Sequence, residues 1–266
     1  MLATAVANQL TPSYICRPSP RAPFGPGAEL ELRQVFEAEE FGEAFTPELR
    51  AREQALLEQA ERGGIEISHI LVTHPHADHV AGLAEARAKL GNPPLVAHAE
   101  TAAELDDEVA VILADGDKFD ANGIEIEALY TPGHAAGHLA LLVDGTDLFT
   151  ADVLFKGTVG GTRAPGTSGF DDLQASVMRL MELPPETVVH PGHKEPTTIG
   201  AEFAENPFVR IWRGLDATGE EEVTVWDRPA TLKLWAPDYD GGNKAWVRFE
   251  SGADAIVGGS QVKREG

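Results

Sequence analysis

Apolar positions along this chain recur with two periods, and the switches between them mark out its elements. From about Thr46, Leu49, Leu56, Leu57 and Ala60 share one helical stripe that stops at Gly63-Gly64. "ISHILVT" (67–73) is a run of β-formers and predicts a strand. In "VAGLAEARAKLG" the residues Val80, Leu83, Ala84 and Leu90 return to helical spacing, with Gly91 as the stop. "PLVAH" predicts a short buried strand. "GIEIEALYTPGH" sets Ile124, Ile126 and Ala128 against Glu125 and Glu127, the period of a strand with one wet face. "HLALLVDGTDLFTAD" predicts a hairpin turning at Asp144-Gly145, a pair suited to positive φ. "DDLQASVMRLMEL" predicts a helix with Leu173, Val177, Leu180 and Met181 inward, ended by Pro184-Pro185, and "TVVHPGH" a strand running into a turn.

Both ends depart from this alternation. Residues 11–30 hold Pro12, Pro18, Pro20, Pro23 and Pro26 with Gly25 and Gly27, which predicts irregular chain. Beyond Arg213, "VTVW", "TLKLW", "KAWVRF" and "AIV" are short β-runs separated by Gly, Pro and Asp. The pattern thus divides the chain into an irregular start (1–30), an α/β body (31–213) and a small β-rich appendage (214–266). Trp226, Trp235 and Trp246 are expected in the core of that appendage.

The chemistry gathers behind the predicted strands. His74, His76, Asp78 and His79 follow "ILVT", His134 follows "ALYTPG", Asp152 follows "DLFTA", and His193 follows "TVVHPG". In a layered α/β protein the strand ends meet on one rim and the loops there carry the site, so these distant residues are expected to converge. Imidazole and carboxylate are the ligands that Zn²⁺, Mn²⁺ and Fe²⁺ take. Pro132-Gly133 and Pro191-Gly192 each turn the chain sharply just before a histidine. His69, His98, His138 and His190 read as structural or hydrogen-bonding neighbours. Lys156 and Arg163 lie in the glycine-rich loop after Asp152, where they could hold an anionic group of a substrate; Lys194 is a weaker candidate of the same kind.

Composition narrows the options. In 266 residues, 42% are apolar, enough for a sizeable core. The net charge of −22 repels phosphate backbones and disfavours nucleic acid as a partner. Ten Glu against four Arg in residues 29–62 read as a solvated face. A lone cysteine, Cys16, excludes an internal disulfide and fits a reducing compartment. The N-terminal residues lack the pattern of a signal peptide, and no run reaches the roughly 18 apolar residues of a membrane span. A soluble cytoplasmic protein with no membrane partner is the expectation.

Taken together, "THPHADH", "TPGH", "AD" and "PGH" resemble the metallo-β-lactamase superfamily, most of all its glyoxalase II-like branch, over about residues 65–210. The resemblance implies a four-layer αββα sandwich and two divalent metal ions, zinc first, with iron or manganese as the other candidates. It assigns His74, His76 and His134 to one metal, Asp78, His79 and His193 to the other, and Asp152 to both. In such a site two cations roughly 3.5–4 Å apart share a hydroxide that attacks an acyl carbonyl, with Asp78 also orienting the nucleophile. The implied substrate is a small acyl compound, foremost a thioester of the hydroxyacylglutathione type. The alternatives are a persulfide dioxygenase with a single Fe(II) at His74, His76 and His134, or a lactone or ester hydrolase.

This sequence departs from the family at both ends. The Asp-Pro-Gly-like turn that precedes the first histidines in such proteins is absent. Either the first sheet lacks strands, or its edge is covered differently, or the N-terminus does not represent an intact domain. The β-rich tail replaces the helical, glutathione-binding domain of glyoxalase II.

Overall fold

A computed structural model describes residues 13–18, 62, 65–121 and 123–264. The helical stripe expected from Thr46, most of the proline-rich start and the side chain of Cys16 lie outside what is described.

Among the described residues, four strands form the first sheet in the order β1 (Ser13–Pro18), β2 (Ile65–Val72), β3 (Leu95–Ala97) and β4 (Val109–Ile112). β1 pairs antiparallel with β2, and the other two pairings are parallel. The second sheet comprises β5 (Lys118–Asp120), β6 (Glu125–Tyr130), β7 (Leu139–Val143), β8 (Asp147–Ala151), β11 (Val188–Pro191) and β12 (Thr197–Thr198). Its order is β12-β11-β8-β7-β6-β5, with only β11 and β8 parallel. A two-stranded ribbon, β9 (Leu154–Phe155) and β10 (Thr158–Val159), follows Asp152.

Side-chain alternation decides how these sheets stack, because successive residues of a strand point to opposite faces. Leu71 and Val96 of the first sheet share a cluster with Ile126, Ala128, Leu139, Leu141 and Phe149 of the second, so the sheets pack face to face. Ile70, Val72, Leu95 and Ala97 point the other way, onto Leu83 and Ala86 of a helix. The remaining short helices in chain order are α1 (Ala77–Val80), this α2 (Leu83–Lys89), and α3 (Ala99–Ala102). On the far side of the second sheet, Leu129, Ala140, Leu148 and Val189 meet α4 (Phe170–Leu180). The expected inward residues Leu173, Val177 and Leu180 are fully buried there. α5 (Ile199–Glu205) and α6 (Pro207–Trp212) close that layer. Helix, sheet, sheet, helix is the expected four-layer sandwich.

Several local expectations are corrected. Within the proline-rich start, Ser13–Pro18 forms β1 and covers the edge of β2. β-Formers carry this segment, and β1 lies at the end of the strand order, where a proline that cannot donate is tolerated. The helix expected over 80–91 is two pieces, α1 and α2, with Gly82 at the N-cap of the second. Its buried stripe therefore resets to Leu83 and Ala86, leaving Ala84 exposed. β4 and β5, four and three residues long, are strands that the sequence pattern did not single out.

The tail folds into a five-stranded antiparallel sheet of β13 (Glu221–Val225), β14 (Arg228–Pro237), β15 (Asn243–Phe249), β16 (Asp254–Gly258) and β17 (Val262–Arg264), ordered β16-β15-β14-β13-β17. Trp226, read as strand, instead forms a two-residue turn with Asp227; both take positive φ (50° and 59°). It stays 38% exposed. One face of the sheet has its own core of Val223, Val225, Leu232, Val247 and Val257. From the other face, Ala236, Trp246 and Ile256 enter the cluster that holds α4 against the second sheet. There Trp246 stacks on Phe170 with ring centroids 5.1 Å apart. Among the described residues no helix is long and apolar enough to cross a membrane.

That shared core predicts joint unfolding. Trp246→Ala is expected to cost about 3–5 kcal/mol and to lower the melting of sandwich and tail together in one calorimetric transition. A separate, early transition for the tail would contradict it.

Candidate metal centre

Strands β2, β6, β8 and β11 deliver these residues to one rim. β2 ends two residues before His74; His76 is the N-cap of α1, which carries Asp78 and His79. Asp152 follows β8, and His193 lies two residues past β11. The parallel pairing sets Pro191 opposite Ala151, so Asp152 and His193 leave adjacent strands side by side. Ala151 takes φ of 39°, a left-handed conformation that costs roughly 1–2 kcal/mol in a residue with a Cβ. That strain sits directly before the buried carboxylate.

All seven expected residues are brought together, in two groups: His74, His76 and His134, and Asp78, His79, Asp152 and His193. Within each, the nearest candidate ligand atoms lie within 4.8 Å of one another. Asp152 lies between the groups. Its Oδ1 is 3.4 Å from His79 Nε2, and its Oδ2 is 3.5 Å from His193 Nε2 and 3.7 Å from His134 Nε2. Asp78 Oδ2 lies 3.7 Å from His79 Nε2 and 3.9 Å from His193 Nε2.

The inward-facing atoms have a common defect. His74 Nε2, His79 Nε2, His134 Nε2 and Asp152 Oδ1 are buried without a hydrogen-bond partner. Each such group costs about 1–3 kcal/mol. The outward atoms explain why the lone pairs face inward. His134 Nδ1 donates to the Gly161 carbonyl at 2.9 Å, leaving Nε2 as the free acceptor. His76 does the reverse: its Nε2 donates to the Pro165 carbonyl at 3.1 Å, leaving Nδ1 free. His74 Nδ1 is 3.2 Å from Thr73 Oγ1. A converging set of unsatisfied nitrogen and oxygen acceptors fits a borderline divalent cation.

The local electrostatics separate the groups. Burial holds His134 down to about 4, and burial with the neighbouring His79 and His138 holds His74 well below the usual imidazole range. Burial opposes charge on His79 too, but Asp152 and Asp78 outweigh it and raise His79 to about 9. Against its own burial, Asp152 is held well below the carboxylate range by His193 and His79.

The other histidines lie outside the two groups, although the His138 ring packs 5.0 Å from that of His74. His190 Nε2 is 2.8 Å from Asp147 Oδ1, and His98 caps α3. His138 Nδ1 is 2.9 Å from Thr131 Oγ1, and His69 lies edge-on to Phe119. Lys156 pairs with Glu195 at 2.6 Å, and Arg163 lies 4.9 Å above the Trp226 ring. Sequence reasoning missed the carbonyls of Gly161 and Pro165, which no side-chain pattern announces. It also missed Tyr239, whose ring stacks on His193 at 4.5 Å and 7°.

Comparison with known proteins agrees with this geometry. The metallo-beta-lactamase superfamily profile matches residues 42–193. This chain belongs to the metallo-beta-lactamase superfamily. Within it, a hydroxyacylglutathione hydrolase of Chromohalobacter salexigens is 35% identical over 224 residues, spanning 68% of this chain and 85% of that one. ETHE1 from Myxococcus xanthus superposes with a TM-score of 0.53 at 26% identity, over 62% of this chain and 77% of that one. TTHA1623, solved in a di-iron-bound form, gives 0.52 at 33% identity, over 58% and 84%. The superfamily's αββα fold is the one described above.

The centre tolerates no bulk at Gly192, where an added Cβ would lie 2.2 Å from Asp152 Oδ1. Gly192→Ala is expected to displace that carboxylate and weaken metal retention at least ~10-fold while far-UV circular dichroism stays unchanged. Undiminished metal content would show that Asp152 does not need this position.

Proposed function

We propose that this chain is a metal-dependent hydrolase that binds two divalent cations, one at His74, His76 and His134, the other at Asp78, His79 and His193, with Asp152 serving both. The observation that carries this is the inward ring of unpartnered acceptors. A second complete group favours the two-metal hydrolase over the single-iron dioxygenase, which needs only the three histidines. The substrate class we assign is a small acyl compound, foremost a thioester of the hydroxyacylglutathione type. That choice is supported by the relative of that name.

When bound, two such cations acidify a shared water and polarise an acyl carbonyl. The residues divide the remaining work. Asp152, with its side chain 8% exposed, stays ionised and holds His79 and His193 in place. Asp78, 40% exposed, faces the open side, where it can orient an entering water and pass on its proton. The peptide carbonyls behind His76 and His134 keep those rings from turning.

The direct test is metal quantification beside a thioester hydrolysis assay on the same preparation. Two divalent ions per chain with hydrolysis are expected; a single iron with oxygen uptake would overturn the reading. His134→Ala should lose metal and more than ~100-fold of the activity while keeping the fold.

The two groups should also respond differently to pH. His79, raised to about 9 without metal, carries a proton at neutral pH that a cation must displace, so uptake at its group strengthens as pH rises towards 9. His134, held at about 4, is already neutral. Stepwise acidification should therefore empty the His79 group first. Equal loss of both ions, measured after dialysis from pH 9 to pH 5, would contradict this.

A further inference from the structure

We infer that the C-terminal sheet is a positioning element of the metal centre, holding one histidine of each ligand group: His193 through the ring of Tyr239, and His134 through a loop pinned by β16. The inference rests on the ligand assignment above and gives the tail a role in it.

The first arm runs through the β14–β15 turn. Tyr239 lies flat on His193, with centroids 4.5 Å apart, and backs onto Phe155 at 4.9 Å. The turn is rigid. Asp238 and Lys244 form a 2.8 Å ion pair, both nearly buried, and Lys244 Nζ lies 5.1 Å from the centre of the Tyr239 ring. Tyr239 N donates to Asp238 Oδ1 at 2.8 Å, and Asp238 N to the Gly242 carbonyl at 3.1 Å. A stacked ring fixed from behind restricts rotation of the imidazole without competing for its lone pair.

The second arm runs through the loop after β10. Thr162 N donates to the Ile256 carbonyl at 3.0 Å, and Ile256 N donates to Thr162 Oγ1 at 2.9 Å. These paired bonds fix the residue beside Gly161, whose carbonyl receives the His134 Nδ1 proton. Ile256 is itself fully buried in the core shared with α4. The path from tail to ligand is therefore a continuous chain of packed or hydrogen-bonded groups.

Cobalt titration of the metal-free full chain, followed by its visible absorption, tests both arms. His134→Ala and His193→Ala assign each uptake step to its group. Tyr239→Leu is expected to weaken the His193 step about 10–100-fold and leave the His134 step alone, while Tyr239→Phe binds as wild type. Thr162→Val should weaken the His134 step, and Thr162→Ser should restore it. Melting of each metal-free variant checks that the fold is intact. Wild-type uptake with unshifted steps in Tyr239→Leu and Thr162→Val would overturn this inference alone, as would equal weakening of both steps by either variant. Wild-type protein that takes up no cobalt would overturn the ligand assignment and this inference with it.

Discussion

Imidazole nitrogens and carboxylate oxygens crowded together, several of them buried without a hydrogen-bond partner, set the terms for the rest of this molecule. Imidazole nitrogens and carboxylate oxygens face one another at 3.4–3.9 Å around Asp152, and several are sealed from water. Left to themselves these side chains would rotate towards solvent or take up protons. The surroundings work against rotation throughout, and against protonation at His74 and His134, while Asp152 and Asp78 favour a proton on His79. The parallel β8–β11 pairing fixes where Asp152 and His193 emerge, and Gly192 leaves room for the carboxylate. Carbonyls of one loop take the outward protons of His76 and His134. The layered core then makes the arrangement stiff, because close-packed sheets do not yield by the fraction of an ångström that would relax it.

Much of this was legible in the sequence, for a physical reason. Strand ends in a layered α/β protein meet on one rim, and a polar residue just past such an end is carried to it. Hence the strand pattern alone puts His74, His134, Asp152 and His193 on a common rim. α4 was equally plain, because Leu173, Val177 and Leu180 recur at helical spacing against one core. Edge elements were not plain. β4 is an apolar run of only four residues and β5 has a single apolar residue, Phe119, while β1 was hidden by the prolines around it. Trp226 read as strand because β-propensity cannot register the positive φ that a two-residue turn demands.

What the sequence hid altogether is support supplied by backbone. Gly161 and Pro165 act through carbonyl oxygens that every residue possesses, so no letter marks them. Tyr239 is a related case, since its contact with His193 depends on how the tail packs, and that follows from Trp246 and Ile256 entering the core beside α4. The glycine-rich loop after Asp152 drew attention for its cations. In the structure, its carbonyls reach the histidines, while Lys156 is engaged by Glu195 and Arg163 by Trp226.

The acidic charge of the whole chain bears on the centre in two opposed ways. A field from 43 acidic residues against 21 basic ones draws divalent cations inward and repels anionic substrates. Range decides between these effects. In physiological salt, surface charges are screened beyond about 8 Å, so the distant carboxylates act mainly on approach. Within the rim the nearest fixed charges are those of Asp78 and Asp152, set among imidazoles of which His74 and His134 are neutral. Two divalent cations would leave that pocket with an excess of positive charge, sufficient to hold a carbonyl oxygen as it gains negative charge. The same surface that discourages polyanions is thus compatible with a small acyl substrate, whose recognition happens at short range.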